Sequence, residues 1–415
     1  MSAAWWAYRV AAPLLGSLAP AAGVFTSPHE RPLWRERLGE ADLPGGCHAW
    51  IHAASLGESG GVPPLLRELR RVAPGARFWL TATSRAGRQR LAALGEPASL
   101  APIDSPQAIR RFVSGVKPER LLLLETELWP HWLLRAETDG LPVAVVSARM
   151  SDRSVKRYRR LGSGLRRLVG GLAAVLCQSD EDVHRWLAIG ARPERTLAVG
   201  NLKSDGLPTP AADRAAERAA LGLDPARPLL VLGSLRPGEP RALAKAWTSL
   251  APATRERWQV VAVPRHPRAS DELRAEAVAG GVSVVTAGAE PGAWRWDDRV
   301  GVLAGWYRAA EAAFVGGSLA PWGGHNPLEP AACGVAVLVG PHTASQASYV
   351  RALRAAGAIA VAEGGEPLAA ALRELLENDG ARAASARAGL AVAEAQRGAA
   401  ASSVARLAEW GLWPA

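Results

Sequence analysis

Short apolar runs alternate with longer amphipathic segments along most of the chain. The runs LLLLE (residues 121–125) and PVAVVSA (residues 142–148) are apolar almost throughout, which is typical of parallel strands buried on both faces. Residues 63–72 and 106–114 instead carry apolar side chains at helical spacing. Ser105 precedes Pro106, so we expect Ser105 to cap the second helix, with proline at its first position.

The same alternation of strand and helix occurs twice, once in each half of the chain. The strands predicted for the first half are His48–Ala54, Arg77–Thr83, Arg120–Leu124, Pro142–Ser147, Ala173–Gln178 and Thr196–Gly200. Those predicted for the second half are Pro228–Gly233, Gln259–Val263, Val282–Thr286, Ala312–Gly316, Val335–Val339 and Ala358–Val361. Strands that alternate with helices predict doubly wound α/β sheets. We therefore expect an α/β fold with two Rossmann-like domains that face a cleft.

The domain boundaries follow from composition. Residues 203–214 (KSDGLPTPAADR) are rich in proline, glycine and polar residues, as linkers are. The prediction is a hydrophobic segment over 1–25, a first domain over 26–205 and a second over 206–415; whether the last helix crosses back stays open. Ligands of such sheets bind beyond the carboxyl ends of the strands, so the chemistry is expected in the loops that follow them.

The first 25 residues form an apolar stretch with one charged side chain, Arg9. Proline and glycine interrupt it, so it is a poor match to the ~20 apolar residues of a transmembrane helix. We favour an interfacial membrane anchor, with the rings of Trp5, Trp6 and Tyr8 at headgroup depth and the basic stretch Arg31–Arg37 behind it. The alternative is a helix that packs on its own domain.

Composition and net charge indicate which classes of partner the protein favours. Hydrophobic residues make up 48% of the chain and the formal net charge is +10, so the protein is globular and favours anionic partners. The cations concentrate in residues 147–168, where Asp152 is the single acid. The pattern contains no nucleic-acid motif and few aromatic residues, which favours lipid or membrane phosphates over DNA or RNA. The basic residues of this stretch are Arg149, Arg153, Lys156, Arg157, Arg159, Arg160, Arg166 and Arg167.

Two loops of the first domain carry candidate carboxylates. Glu58 lies in HAASLGESGG (residues 52–61), directly after a predicted strand; it could deprotonate a hydroxyl or be a solvated loop acid. Glu125 and Glu127 stand two residues apart in ETELWP. In an extended segment they would point the same way, which would raise the pKa of one or bind a cation. Alternatively, one of them caps the helix that follows.

The second domain offers loops suited to anions. Arg265 and His266 follow a strand and lie between two prolines; the arginine could grip a phosphate or carboxylate or pair with a neighbouring acid. In GGSLAPWGGHNPLEP (residues 316–330), a glycine loop leads to a helix with Asn326 as N-cap, whose start could bind an anion. Glu329 could complete the cap or accept ribose hydroxyls. The chain has neither a Walker A loop nor a GxGxxG motif with a downstream acid.

Together these loops resemble the 3-deoxy-D-manno-octulosonic acid (Kdo) transferases of lipopolysaccharide synthesis. The resemblance spans residues 30–345 and rests on HAASLGE, ETELWP, SARMSDRSVKRYR, CQSDED, GNLKSD, PRHP and GGSLAPWGGHNPLEPAACGVAVLVGP, in this order. It implies an inverting glycosyltransferase of the GT-B fold that uses neither metal nor cofactor. The donor would be CMP-Kdo and the acceptor the lipid A precursor lipid IVA, at an anionic membrane surface on the cytoplasmic face of the bacterial inner membrane.

The resemblance also implies roles for individual residues. Glu58 corresponds to the catalytic base and Glu127 to a second functionally important acid, so both are predicted catalytic residues. The acceptor would be bound by Arg149, Arg153, Lys156 and Arg157. The residues implied to bind the donor are Ser234, Arg265, His266, Gly316, Gly317, Gly323, Gly324, His325, Asn326 and Glu329.

Three features depart from the family pattern. His131 stands where the family has asparagine, Arg236 stands where it has histidine, and residues 299–314 lack an acid pair that precedes the glycine loop in the family. A divergent GT-B enzyme that uses another nucleotide sugar is therefore one alternative. The other is a membrane-associated binding homologue without catalytic activity.

Overall fold

The computed structural model describes residues 5–8, 10–13, 31–288 and 290–414. Its contacts divide the chain into two compact units. Unit 1 comprises Met1–Gly206 together with Gln396–Ala415, and unit 2 comprises Leu207–Ala395. The last helix, Ala399–Glu409, is thus part of unit 1.

A seven-stranded sheet forms the centre of unit 1. Its strands are β1 (Ala49–His52), β2 (Phe78–Ala82), β3 (Ala98–Leu100), β4 (Leu121–Leu124), β5 (Val143–Ala148), β6 (Ala174–Cys177) and β7 (Thr196–Ala198). All neighbours are parallel, in the order β3-β2-β1-β4-β5-β6-β7. The α-helices of this unit are Arg31–Arg37, Val62–Val72, Arg85–Ala92, Pro106–Val116, Pro130–Asp139, Asp152–Arg160, Gly162–Gly170, Asp180–Ala188 and Ala399–Glu409, and residues 5–8 and 10–13 are also helical. Because the chain leaves β1 in one direction and β4 in the other, the loops after these two strands diverge and leave a crevice at the carboxyl edge.

Unit 2 repeats the plan. Its strands are β8 (Leu229–Leu235), β9 (Gln259–Pro264), β10 (Val284–Val285), β11 (Trp294–Trp296), β12 (Ala312–Val315), β13 (Ala336–Val339) and β14 (Ile359–Val361). They too are parallel, in the order β10-β11-β9-β8-β12-β13-β14. Its α-helices are Arg214–Ala220, Glu239–Thr248, Pro252–Arg257, Ser270–Ala279, Leu303–Ala309, Leu328–Ala332, Ala347–Ala355, Glu366–Glu377 and Asp379–Ala395. Here the strand order reverses between β8 and β12.

The predicted α/β class is confirmed, and each of the twelve predicted strands overlaps an observed one. Two short strands, β3 and β11, were missed because a polar residue at the centre of each, Ser99 and Arg295, interrupts the apolar run. The predicted cap is also confirmed: Ser105 Oγ accepts a hydrogen bond of 3.3 Å from the backbone N–H of Ala108. Both faces of the unit 1 sheet are covered, one by a core around Trp50 and Trp132 and the other by apolar residues that include the last helix.

The start of the chain packs on unit 1 where it is described. Trp5 is 2% exposed and lies against Gly164, where a Cβ atom would be 2.4 Å from the indole ring. Tyr8 donates a hydrogen bond to Asp104 and stacks on His131, with 5.4 Å between ring centroids. Trp5 therefore packs on its own domain, as the alternative expected, and Tyr8 is half-buried. The location of this segment at a membrane surface stays a prediction. Residues 14–25 of the predicted anchor lie outside the described residues.

Among the helices that the structure describes, none has the length and apolar character needed to cross a bilayer.

Replacing Trp5 with alanine tests the packing of this segment. We expect Trp5→Ala to lower the free energy of unfolding by about 3 kcal/mol, because it removes a buried ring from a packed core. The matched variant Trp6→Ala removes a ring that is 52% exposed and should cost less than about 1 kcal/mol. Chemical denaturation of both variants measures the difference; equal losses would show that Trp5 is not packed in solution.

Candidate functional site

Glu58 lies at the carboxyl edge of the unit 1 sheet, in a short 3₁₀ turn, Glu58–Gly61, that follows β1. Its Oε2 accepts a 2.7 Å hydrogen bond from the backbone N–H of Ala54, and its own N–H donates to Ser55 Oγ at 3.2 Å. The carboxyl group is therefore held in place while remaining partly exposed. This is the geometry expected of a base that must meet a substrate hydroxyl.

The pKa of Glu58 is raised above its ordinary value. Burial is the main cause, and the charges of Glu127 and Glu125 add to it. The hydrogen bonds from Ala54 and Ser55 act in the opposite direction. A carboxylate with a raised pKa holds a proton more tightly, which makes it a stronger base.

Glu125 and Glu127 do not form the side-by-side pair that the sequence suggested. Glu125 has a left-handed backbone, with φ of 58°, so the segment is not extended and the two side chains have different partners. Glu125 pairs with the Lys203 ammonium. Glu127 Oε2 accepts a 2.8 Å hydrogen bond from Trp129 Nε1 and lies 3.6 Å from His52 Nε2. Of these two carboxylates, Glu127 has the stronger influence on the base, since its charge raises the pKa of Glu58 more than the charge of Glu125 does.

The predicted acceptor-binding residues lie beside this edge. Arg149 follows β5, and Asp152–Arg160 carries Arg153, Lys156 and Arg157, all with exposed side chains. Tyr158 of the same helix is buried, and its pKa is raised by burial and, to a lesser extent, by the charge of Glu127. Tyr158 therefore lies within electrostatic reach of Glu127, while the assignment of the exposed cations to the acceptor stays a prediction.

In unit 2, a buried carboxylate organises the glycine loop. Glu239 is 1% exposed, and four backbone N–H groups converge on it. Its Oε2 accepts from Arg236 and Gly317 at 2.9 and 2.8 Å, and its Oε1 accepts from Ser318 and Leu319 at 2.9 and 3.0 Å. Glu239 could not be recognised from the sequence, because a carboxylate in the first turn of a helix is ordinarily an exposed charge that interacts favourably with the helix dipole.

The glycines of this loop are required by close approaches. A Cβ atom at Gly316 would lie 2.5 Å from the backbone oxygen of Ser234 and 2.7 Å from Glu239 Oε2. Gly317 and Gly324 have positive φ angles, and the N–H of Gly324 donates to the oxygen of Gly317 at 2.7 Å. Gly323 likewise has no room for a side chain, because a Cβ atom there would lie 2.3 Å from Ser345 Oγ. Both predicted glycine pairs therefore belong to one folded loop.

Cationic and imidazole side chains gather beside this loop. Arg265 follows β9 and is exposed, and the charges of Arg265 and Arg236 lower the pKa values of both His266 and His325. Burial is the larger cause in each case, and burial and these charges together lower the pKa of His325 to about 4. The guanidinium of Arg236 also lies 4.3 Å from the ring centroid of Trp322, a 49% exposed residue that the sequence analysis did not assign. This edge can bind an anion.

The helix after the glycine loop differs from the prediction. It comprises Leu328–Ala332, so it begins one residue later than expected and has five residues, too few to create an anion site by itself. Asn326 Oδ1 does accept a 3.1 Å hydrogen bond, from the N–H of Leu328. Glu329, however, contacts the Asn326 amide at 3.5 Å instead of a backbone N–H, so the expected capping box is incomplete. Burial raises the pKa of Glu329.

Three comparisons with known proteins bear on this chain. Residues 33–206 match the family model described as 3-deoxy-D-manno-octulosonic-acid transferase (kdotransferase). The 3-deoxy-D-manno-octulosonic acid transferase of Bordetella pertussis is 35% identical over 89% of this chain and 89% of its own length. That of Chlamydia muridarum is 32% identical over 85% of this chain and 84% of its own.

Solved structures support the fold. The UDP-GlcNAc 2-epimerase of Neisseria meningitidis bound to UDP-GlcNAc matches 87% of this chain and 99% of its own with a TM-score of 0.60 and 14% sequence identity. At that identity the likeness concerns the two-domain α/β architecture and not the reaction.

Proposed function

Because the chain belongs to the Kdo transferase family, whose members are glycosyltransferases, we propose that it transfers Kdo from CMP-Kdo to a phosphorylated lipid A precursor such as lipid IVA. The observation that carries the proposal is the position of Glu58. It is anchored at the carboxyl edge of the unit 1 sheet by Ala54, has a raised pKa and lies in a unit whose basic helix suits a phosphorylated acceptor.

In the proposed reaction, Glu58 accepts the proton of an acceptor hydroxyl. The hydroxyl oxygen forms a bond to the anomeric carbon of Kdo while the bond from that carbon to the CMP phosphate oxygen breaks. The proton ends on Glu58 and the electron pair leaves with CMP. A single displacement of this kind inverts the configuration at the anomeric carbon.

We place CMP-Kdo on unit 2. Arg265, His266 and His325 lie at the carboxyl edge of its sheet beside the loop that Glu239 folds. A phosphate gains negative charge as CMP leaves, and positioned cations and N–H donors stabilise that charge. We propose that these side chains, and no divalent cation, supply this stabilisation.

We propose that the acceptor binds to unit 1, and the distribution of charge supports this. A lipid A precursor carries phosphates, and Arg149, Arg153, Lys156 and Arg157 present an exposed basic surface that anionic lipid headgroups would also attract. This supports a location on the cytoplasmic face of the bacterial inner membrane. The proposed membrane binding is tested by measuring how much protein binds to vesicles with and without anionic lipid.

The reaction itself is tested with defined substrates. The protein is incubated with CMP-Kdo and a tetra-acylated, phosphorylated disaccharide lipid in the presence of a chelator, and the lipid products are weighed by mass spectrometry. Addition of Kdo together with release of CMP supports the proposal. Product only after Mg²⁺ is restored would contradict metal independence, and no product in either condition would contradict the reaction.

Nucleotide choice separates this function from that of an enzyme that uses another nucleotide sugar. We expect CMP to raise the temperature of unfolding and UDP to leave it unchanged, since only a bound ligand stabilises the folded state. CMP at 100 times its Kd would add about 2.7 kcal/mol. Arg265→Ala should weaken the CMP shift, whereas Arg255→Ala, on a short helix of the same unit, serves as the control. A shift with UDP instead of CMP would favour the alternative.

A further inference from the structure

A buried imidazole, that of His52, lies close to Glu127, the second predicted catalytic residue. His52 is on β1 and is 0% exposed, and it pairs in register with Thr81 on β2. No role was predicted for it from the sequence. Buried ring nitrogens ordinarily have hydrogen-bond partners, so the groups that face the two nitrogens of His52 indicate what it does.

The hydrogen bonds define which nitrogen carries the proton. Trp50 Nε1 can only donate, and it lies 2.8 Å from Thr81 Oγ1, which is therefore the acceptor of that bond. The Thr81 hydroxyl hydrogen is then available to His52 Nδ1, 2.9 Å away. A neutral ring whose Nδ1 accepts carries its proton on Nε2. The Thr81 oxygen has a second lone pair that an Nδ1–H could use, but a neutral ring would then turn the Nε2 lone pair toward the Glu127 carboxylate. We therefore assign the Nε2–H tautomer to His52.

The protonated nitrogen faces Glu127. His52 Nε2 lies 3.6 Å from Glu127 Oε2, just beyond hydrogen-bond distance, and it has no hydrogen-bond partner within the part of the chain that the structure describes. The contact between the two side chains is therefore electrostatic. The ring meets Trp132 edge-on, with centroids 4.9 Å apart, which limits its rotation. Because Trp129 donates to the same oxygen, Oε2 faces two N–H groups from the protein.

We propose that the hydrogen-bonded series Trp50–Thr81–His52 positions Glu127. It would hold Oε2 of Glu127 so that Oε1 is presented to the acceptor. His52 acts through Glu127 and does not touch the substrate. The charge of Glu127 also reaches Glu58 and Tyr158, so a displaced Glu127 would disturb the base as well. This inference rests on the proposed function, because it assigns a task to a residue of that site.

Thr81 offers a matched pair of variants. Thr81→Val has nearly the same shape but cannot donate to His52 Nδ1, whereas Thr81→Ser keeps the hydroxyl. We expect kcat for Kdo transfer to fall about 10- to 100-fold in Thr81→Val, since small misplacements of reacting groups have effects of that size. The KM for CMP-Kdo should change little. Thr81→Ser should stay within about threefold of the unmodified protein, because the hydroxyl that orients the ring is retained.

A spectroscopic readout separates positioning from simple packing. In ¹⁵N-histidine spectra, with the His52 signal identified from His52→Gln, we expect a protonated Nε2 and an unprotonated Nδ1, and we expect this tautomer to be lost in Thr81→Val. Equal kcat losses in Thr81→Val and Thr81→Ser, or an unaltered tautomer in Thr81→Val, would overturn the inference. If the unmodified protein transfers no Kdo, the proposed function fails instead, and the tautomer measurement still reports on the hydrogen-bond chain.

Discussion

Glu58→Gln is expected to lower kcat for Kdo transfer by about 10²- to 10⁴-fold, the usual contribution of a general base. Glutamine retains the size and an oxygen that can accept from Ala54, but it cannot take the proton of the attacking hydroxyl. Product formation is measured from CMP release and from the mass of the lipid. Glu68→Gln, which removes a surface carboxylate from the helix Val62–Val72, is the control and should keep its activity.

The pH dependence of the same variant provides a second check. The pKa of Glu58 is raised, chiefly by burial, so the base is protonated and inactive below that raised pKa. We expect kcat/KM of the unmodified protein to rise as the pH increases through it, and we expect Glu58→Gln to lose this acid limb. A variant that keeps both the rate and the acid limb would exclude Glu58 as the base.

Stability should change in the opposite sense to activity. The folded state holds the Glu58 proton more tightly than the unfolded state does, so the free energy of unfolding falls as the pH rises through the raised pKa. Above it, an ionised and partly buried carboxylate opposes folding. Glu58→Gln is therefore expected to unfold at a temperature no lower than that of the unmodified protein at neutral pH. A large loss of stability would mean that the loss of activity is structural.

The placement of the chemistry could be predicted because parallel sheets bring their carboxyl ends to one edge. That rule, applied to apolar runs, correctly placed Glu58 in the loop that follows β1 and Arg265 directly after β9. It also indicated both glycine pairs of the unit 2 loop. In each case the signal was local: a buried strand, followed within a few residues by a polar or glycine-rich turn.

What the sequence could not reveal depends on contacts between distant residues. The left-handed backbone at Glu125 and its pairing with Lys203, 78 residues away, have no local signal. The sequence around Trp5 is typical of a membrane anchor, and only the structure shows that its ring packs against Gly164. His52 gains its partner Thr81 only once β1 and β2 pair. Such features require the three-dimensional structure because the residues that define them are far apart in the chain.

Glu239 is the clearest case, and its replacement is the second change with a large expected effect. Glu239→Gln should lower the free energy of unfolding of unit 2 by at least about 3 kcal/mol, because hydrogen bonds to charged groups contribute about 1.5–3 kcal/mol each and buried donors left without an acceptor are costly. The substituted amide would turn an N–H group toward two backbone N–H donors, such as those of Ser318 and Leu319. The loop would have to move, and since Gly316 and Gly317 belong to it, CMP should bind less tightly.

Glu276 is the matched control for this change. Its carboxylate accepts from the N–H of Gly238, at 2.8 and 3.0 Å, but it is partly exposed, so water can replace a lost contact. Glu276→Gln should therefore cost less than about 1.5 kcal/mol and leave the CMP-induced rise in unfolding temperature intact. If Glu239→Gln matched this control in both measurements, the four N–H contacts would not be what holds the glycine loop. A large loss of stability with normal CMP affinity would instead separate the fold of the loop from nucleotide binding, and Arg265 would then have to bind the nucleotide without that loop.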